Sequence, residues 1–561
     1  MNRVLTRSRP IMAAAAVVAA TVLATTVAAC GSTSTTPKPS SSSSAVLTME
    51  SSPENAITDN FNPLNPVPTG ATGLGGTSLI YEPLLQFDVA NPSVYYKWLA
   101  TAYRWSNSGQ SIVFTIRSGV KWSNGKAFTP ADVVFTYSLL KRYPGINGTG
   151  LPITSVSSSG NQVTINFSSP QYTNLQNIAS VYIVPKAIWS SVGDPATYLD
   201  SHPIGTGPYT LKSFSTGGIT LQANAHYWGG APAVGKVDFP VYASNNTVLP
   251  ALASNQLDWA GNFLSGLQST FVGPDPAHHK VWFAPVNTNA YFPNLNVWPT
   301  NQLAVRKAIS LALDRTAIST QGEAGLEPVA TNASGLVLPN FKNLLAPSVQ
   351  SMTLSPTGNP AAAKLVLEQA GFVMGSDGYF HSSTGKLLAL TITDPASYTD
   401  YAEDGSIAAA DLQKAGIDAT FNGQSVSAWS ADIADGNFQL SQHWSATSIS
   451  AYQLYNNWLN SALATSNAAG NFERLHNSTI DSELAKLAGA TTVAAQLQDL
   501  APIEQFVATQ LPIIPTVYGA AFDEYNTSQF TGWPSASNPY EAGSPTAPTN
   551  EVVVLRLRPV G

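Results

Sequence analysis

Ser118–Leu140, SGVKWSNGKAFTPADVVFTYSLL, is the stretch whose reading decides the fold. Asn124-Gly125 lies between apolar-alternating flanks, and Asn-Gly suits a two-residue hairpin turn because both central residues of that turn take positive φ. Lys121 to Phe128 is therefore expected to be a hairpin tip. Thr129 follows with a side-chain oxygen suited to an N-cap, Pro130 suits the first helical position, and Asp132 completes a Thr-x-x-Asp capping box. Val133, Val134, Tyr137 and Leu140 then mark the apolar side of a helix. A strand, a turn and a capped helix succeed one another in this one stretch.

This arrangement closely resembles the signature of the family 5 extracellular solute-binding proteins, the peptide- and oligosaccharide-capturing receptors of bacterial ABC importers. In them a GVKWSDG turn leads into FTADDVV; here Asn124 stands where the family usually has Asp. Other segments resemble the family in the same order. They are the NFNP loop at Asn60 to Pro63, the YEPL segment at Tyr81 to Leu84, PIGTGPY at Pro203 to Tyr209, the N..YW segment ending at Trp228, LDW at Leu257 to Trp259, the helix-like LAVRKAISLALDRTAIS at Leu303 to Ser319, and LPIIP at Leu511 to Pro515. The resemblance covers roughly residues 46 to 559. It implies an α/β, two-lobed periplasmic-binding-protein fold of class II, of the large family-5 type with an extra subdomain, and a ligand cleft between the lobes. On that basis residues 46–85, 200–295 and 521–561 are expected to form lobe I, 86–199 its extra subdomain, and 296–520 lobe II.

The ends of the chain give the localisation. Arg3, Arg7 and Arg9 precede an apolar run from Ile11 to Val27, and small residues lead to Cys30. Residues 1–29 thus read as a secretory signal, and Val27-Ala28-Ala29-Cys30-Gly31 resembles a bacterial lipobox in which the cysteine is lipidated. Cys30 is the chain's one cysteine, so it has no internal disulfide partner. Loss of the signal removes three arginines and takes the net charge from −7 to −10. Residues 30–45 include the Ser/Thr/Pro tract Ser32 to Ser44, which has too little apolar surface to order itself and reads as a flexible tether. The charge balance disfavours nucleic acid as a partner.

The 561 residues are too many for one core, and the Pro- and Gly-rich, charge-poor composition suits a secreted protein with many loops. Ser111 to Ile116 and Gln162 to Phe167 alternate as half-buried strands, and helices alternating with strands from about 300 to 520 indicate a mostly parallel sheet. Gly205-Thr206-Gly207 is not a phosphate loop, because Pro208 and a strand-like run follow it rather than a helix. His278-His279 reads as a surface loop, since adjacent histidines face different ways and no cysteine, HExxH or carboxylate cluster accompanies them. No cofactor or metal is expected. Nothing gathers a nucleophile, base and acid, or two facing carboxylates, into a hydrolase motif, so the chain reads as a non-enzyme.

The resemblance implies a solute held by aromatic rings and amides as the lobes close. Trp98, Trp122, Trp189 and Trp228 read as core; Trp444, Trp458 and Trp533, with Asn62 and His443, are the candidate ligand contacts. Peptide-binding relatives commonly carry an aspartate-rich DYxDP segment that pairs with the peptide ammonium. The corresponding Gln442 to Ser450, QHWSATSIS, has no carboxylate. A buried ammonium without a charged partner costs several kcal/mol, which argues against a simple dipeptide receptor. The order of NFNP, YEPL, LDW, the His-His loop and FTGW followed by SASNP resembles the chito- and cello-oligosaccharide branch, and aromatic faces suit pyranose rings. A β-linked oligosaccharide is thereby favoured, with an oligopeptide as the alternative. The implied partners are two permease subunits, their ATPases, and the membrane through Cys30, around a monomeric receptor.

Overall fold

The computed structural model describes residues 45–50, 56–65, 75–91, 94–338, 340–445, 447, 449–465, 470–546 and 548–560. Cys30 and the tract from Ser32 to Ser44 lie outside the described residues. Among these, no helix is long and apolar enough to cross a membrane.

The opening stretch folds by local interactions. Lys121 bridges Ala127 across the hairpin, Gly125 N donates to Trp122 O at 2.8 Å, and Trp122 N donates to Lys126 O at 2.8 Å. Only Gly125 of the pair takes a positive φ, at 81°. The expected two-residue turn is therefore a turn centred on Ser123-Asn124 followed by a left-handed glycine, the three-residue loop with a bulge. Asn124 holds it by accepting a bond from Lys126 N at 3.1 Å. The helix runs Pro130–Arg142 as the capping box requires: Thr129 N and Oγ1 both donate to Asp132 Oδ2, at 2.9 and 3.0 Å. The other Asp132 oxygen accepts from Lys186 N at 3.0 Å, so the cap also anchors a second segment.

That helix lies on a four-stranded antiparallel sheet in the order Ala100–Ser106, Ser111–Ile116, Gln162–Phe167, Ile153–Ser159. Val133, Tyr137 and Leu140 join Ile112, Phe114, Val163 and Ile165 in its core. The same core continues without a break into a seven-stranded sheet whose central strands Val46–Glu50, Trp259–Ala260 and Lys236–Pro240 run parallel. The region 86–199 and the seven-stranded sheet thus share one interior.

A five-stranded sheet forms the other half, in the order Asp418–Gln424, Ala389–Pro395, Leu440–Trp444, Ala284–Pro293, Ile514–Ala521. The first three strands are parallel, but Ala284–Pro293 is antiparallel to both of its neighbours, so the sheet is mixed rather than mostly parallel. Ala284–Pro293 enters it directly from the seven-stranded sheet and so runs against the direction that helical crossovers impose, whereas Ile514–Ala521 follows the helix Val493–Gln510 and runs with the first three strands. Ala284–Pro293 also corrects the boundary expected at 296, because this strand lies at the centre of the second sheet. Alternation splits its side chains between two cores: Ala290 and Phe292 face one with Trp458 and Tyr518, while Tyr291 faces the other with Ile309, Ile392 and Leu440.

Leu303 to Ser319 does not form one helix. The helix Leu303–Ala312 ends where Asp314 N donates to Asp411 Oδ2 at 2.8 Å, and the Asp314 side chain caps a new turn by accepting from Ala317 N at 2.9 Å. A tertiary bond to a distant carboxylate outweighs the continuous apolar periodicity here. A later helix runs Thr399–Lys414 and brings Asp400, Tyr401 and Asp404 onto its first turns.

Candidate cleft between two sheets

Ligands of open α/β sheets bind outside the carboxyl ends of the parallel strands. In the five-stranded sheet those ends are Pro395, Gln424 and Trp444. In the seven-stranded sheet they include Glu50 and Ala260. The chain passes between the sheets at Val281–Ala284 and again at Ala521–Glu524, two adjacent connections that can bend together. Trp282 N donates to Asp523 O at 2.9 Å, and the Phe522 ring packs edge-on against Phe263 and Phe283, tying these connections to each other. Away from them, Ile449 N donates to Gln176 Oε1 at 2.9 Å and Gln453 Nε2 to Asn177 Oδ1 at 2.8 Å, joining the helix after the third parallel strand to the first half of the molecule.

Trp444 sits at the carboxyl end of its strand with 40% of its surface exposed. His443 stacks on it at 4.2 Å and on Trp429 at 5.5 Å, and Tyr401 packs against the indole at 6.2 Å. Tyr398 meets both Tyr401 and Trp429, so one aromatic wall lines this edge. Burial among these rings lowers His443 to about 4, which leaves it a neutral ring at physiological pH. Its Nδ1 lies 2.7 Å from Trp444 O.

The remaining expected contacts lie elsewhere. Trp458 is 1% exposed in the core that contains Tyr455 and Tyr518, with its six-membered ring over Gly335. Trp533 is buried between Trp259 and Tyr525, and its Nε1 donates to Phe530 O at 2.9 Å. Both support a sheet rather than present a face to a cleft. Asn62 donates to Pro195 O and Tyr198 O at 2.7 and 2.8 Å and accepts from Leu64 N at 2.9 Å, so its amide is saturated within the protein. His279, expected on a surface loop, is buried and stacked on Phe271, with its ring nitrogens near Phe271 O and Asn255 Oδ1. His278 alone is exposed, beside Asp275.

Sequence reasoning missed the acidic groups behind the aromatic wall. Asp394 Oδ1 accepts from Gln442 N at 2.9 Å and from Ser441 Oγ at 2.8 Å; Asp404 Oδ2 accepts from Gln442 Nε2 at 2.7 Å. Glu323 lies against Asp404, and Glu327 is held by Asn289 Nδ2 and Ala520 N. Burial raises the pKa of all of them, Asp404 to about 8 and Asp400 to about 6. The QHWSATSIS stretch lacks a carboxylate, but the fold supplies carboxyls to it from the strand and helix before it. The sequence signal was Asp400 and Asp404 at helical spacing with Tyr401 between them. Among the described residues, no group of three or more His, Cys, Asp or Glu side chains is placed to hold a metal ion.

Comparison with known proteins gives a consistent result. The family described as bacterial extracellular solute-binding proteins, family 5 (middle), matches residues 94–466. The nickel-binding periplasmic protein of Escherichia coli K12 is 27% identical over 406 residues, 69% of this chain and 74% of that protein. The probable peptide-binding protein YejA of Agrobacterium fabrum is 22% identical over 522 residues, covering 83% and 84%. Among solved structures, a periplasmic oligopeptide-binding protein of Thermotoga maritima with bound mannohexaose aligns with a TM-score of 0.82 at 25% identity, over 92% of this chain and 98% of that one. Bacillus subtilis AppA in complex with a nonapeptide aligns at 0.77 and 20% identity, over 92% and 99%. The α/β fold is that of these two-lobed binding proteins, with the ligand cleft between the lobes.

Proposed function

The chain belongs to the family 5 bacterial extracellular solute-binding proteins, and from that premise we propose that it captures a β-linked oligosaccharide by lobe closure and delivers it to an ABC permease. It acts as a binder, without changing the solute. The observation that carries the ligand class is the aromatic wall of Tyr398, Tyr401, Trp429 and Trp444, with Trp444 exposed at the carboxyl end of its strand. A flat indole matches the apolar face of a pyranose, and Trp444 with His443 forms the contact surface. The mannohexaose bound to the Thermotoga maritima protein supports this reading. An oligopeptide is the second reading, supported by the nonapeptide bound to AppA and by the carboxyls that the fold brings to Gln442. In this account lobe I carries the seven-stranded sheet with the region 86–199 as its subdomain, lobe II carries the five-stranded sheet, and Val281–Ala284 with Ala521–Glu524 is the hinge.

Thermal unfolding of a soluble form beginning at Ala45, screened against cello- and chito-oligosaccharides and against di- to hexapeptides, tests the ligand class. A ligand at about a hundred times its Kd adds about 2.7 kcal/mol of apparent stability. A shift with sugars, reduced about tenfold in affinity by Trp444→Ala, is the expected result. A shift with peptides alone replaces it with the second reading. Sugars recovered intact after long incubation are expected of a binder; their cleavage would overturn that part.

Attachment through the lipid on Cys30 holds the receptor at the outer face of the cell membrane. Cys30→Ala is expected to move the protein from the membrane fraction to the soluble one, as measured by fractionation and immunoblotting. Unchanged membrane attachment would refute lipidation as the anchor.

A further inference from the structure

Apart from the connections at Val281–Ala284 and Ala521–Glu524, the halves of the molecule meet through the segment that leaves the exposed Trp444. Ser445 is fixed in the five-stranded half, where its N donates to Thr288 O at 2.9 Å and its Oγ accepts from Thr288 N at 3.0 Å. A few residues on, the chain is in the other half: Ile449 packs against the core shared by the four- and seven-stranded sheets, and its N donates to Gln176 Oε1 at 2.9 Å. Ser450 follows as the N-cap of the helix Ala451–Leu459, accepting from Gln453 N at 3.2 Å and donating to Thr173 O at 3.1 Å. Gln453 Nε2 donates to Asn177 Oδ1 at 2.8 Å, and Thr173 Oγ1 donates to Leu487 O at 3.0 Å, at the end of the helix Ser478–Ala488. An apolar side chain and a set of bonds between uncharged groups thus join the halves, with every donor and acceptor supplied by the protein.

A cavity of about 250 Å³ opens beside this contact. Asn177 lines the cavity and also holds Gln453. Thr149 lines it next to Gly150, where a Cβ would lie 3.6 Å from the Leu463 side chain of the other half. Leu64, Leu140 and Tyr182 contribute further wall from the first half. The rim of the cavity and the contact between the halves are therefore built from the same or adjacent residues.

We propose that Ile449 and the helix start that follows it form a latch, which closes beside this cavity and holds the halves together by protein bonds alone. The latch presupposes the hinge assigned above and no particular solute. It sets how often the cleft opens. A solute enters only the open form, so a latch that keeps most molecules shut slows association by the open fraction. The same bonds must break before the solute leaves, so release is slowed as well. Weakening the latch raises both rates and changes the affinity far less than either. Loss of a side chain that touches the solute acts differently, since it mainly speeds release and lowers affinity in proportion. Because its partners are uncharged, the latch is insensitive to salt.

Pulsed electron double resonance on the full chain with Cys30→Ala, purified in detergent, tests this. That chain has no other cysteine, so Ser158→Cys and Ser482→Cys carry the two spin labels. Both positions are exposed, one on the strand Ile153–Ser159 and the other on the helix Ser478–Ala488 that Thr173 holds. In buffer alone a single short distance should predominate, at low and high salt alike. Ile449→Ala should add a longer distance and raise the ratio of open to shut molecules about tenfold. Gln453→Ala, which keeps the Ile449 side chain, should do the same to a smaller extent, and it carries the test by itself if circular dichroism shows that Ile449→Ala does not fold. Stopped-flow mixing with cellotetraose, chitotetraose and tetraalanine should show both rates rising in the variants for whichever probe binds. A mixture of short and long distances that the variants leave unchanged would overturn the latch and leave the hinge standing. A long distance in the unaltered protein that shortens only when one of these probes is added would likewise overturn the latch alone. A single distance that neither the variants nor any probe moves would overturn the hinge together with the latch.

Discussion

The unfolding midpoint of this protein is expected to be highest near pH 4 to 5 and to fall by about 10 °C by pH 8, the reverse of a protein stabilised by ion pairs. The cause is a set of buried carboxyls with no buried cation beside most of them. Burial pushes Glu82 and Glu504 up to about 7, Asp200 and Asp258 to about 6, and Asp404 to about 8. It also raises Glu323, Asp394, Asp523, Glu524 and Glu551 well above the usual carboxylate range. In the unfolded chain each ionises near pH 4. Below that, both states are protonated and the full stability is present. As pH rises towards 6 to 8 the unfolded state loses protons that the folded state retains, and stability falls until the folded carboxyl ionises. A shift of two units is worth about 3 kcal/mol, and several groups act together. His443 opposes them, because its neutral buried ring costs stability below its unfolded pKa, but it is one group against many. Scanning calorimetry from pH 4 to 8 measures the slope; a midpoint that is flat or rises with pH refutes this account.

Gly205→Ala is expected to cost about 4 kcal/mol or more, enough to prevent accumulation of folded protein. A Cβ on Gly205 would lie 1.7 Å from Ile80 O and 2.5 Å from Ile80 C, both backbone atoms that cannot turn aside. Three segments meet there. Gly207 N donates to Ile80 O at 2.8 Å, and Ser123 N, from the hairpin tip, donates to Gly205 O at 2.8 Å. The Gly-x-Gly motif thus exists for close backbone approach, and the strand Tyr209–Ser215 follows it as the sequence required. Gly119→Ala is the control: no atom lies within 4 Å of its Cβ, but φ is 79°, so about 1 kcal/mol of backbone strain is the whole effect. Circular dichroism and midpoints of the two variants decide it. A Gly205→Ala protein that melts as the unaltered protein does would show that the backbones separate freely.

Much of the fold was legible because it rests on bonds between near neighbours. Thr129 and Asp132 cap a helix whatever surrounds them, and Gln162–Phe167 alternates strictly enough to mark its strand to the residue, while Ser111–Ile116 is a strand buried on both faces rather than half-buried. The same logic failed where a distant group intervened. The periodicity of Leu303 to Ser319 said nothing of Asp411, which ends the helix, and two-fold alternation in Ala284–Pro293 could not say which sheet would receive it. Position alone did not say which of the expected contacts would be exposed. Trp444 and Trp458 occupy neighbouring segments, yet one is exposed at a strand end and the other fills a core.

The sequence by itself determined the capped helix, the hairpin, the alternating strands and, through motifs in their order, membership of the family, because each is written in residues a few positions apart. Only the tertiary structure decided the chemistry of the cleft. Gln442 meets Asp404 and Asp394 from 38 and 48 residues away, and Glu323 arrives from a separate turn. Sequence spacing does not encode which distant carboxyls share one desolvated space. Sheet order does, and desolvation then sets their charge.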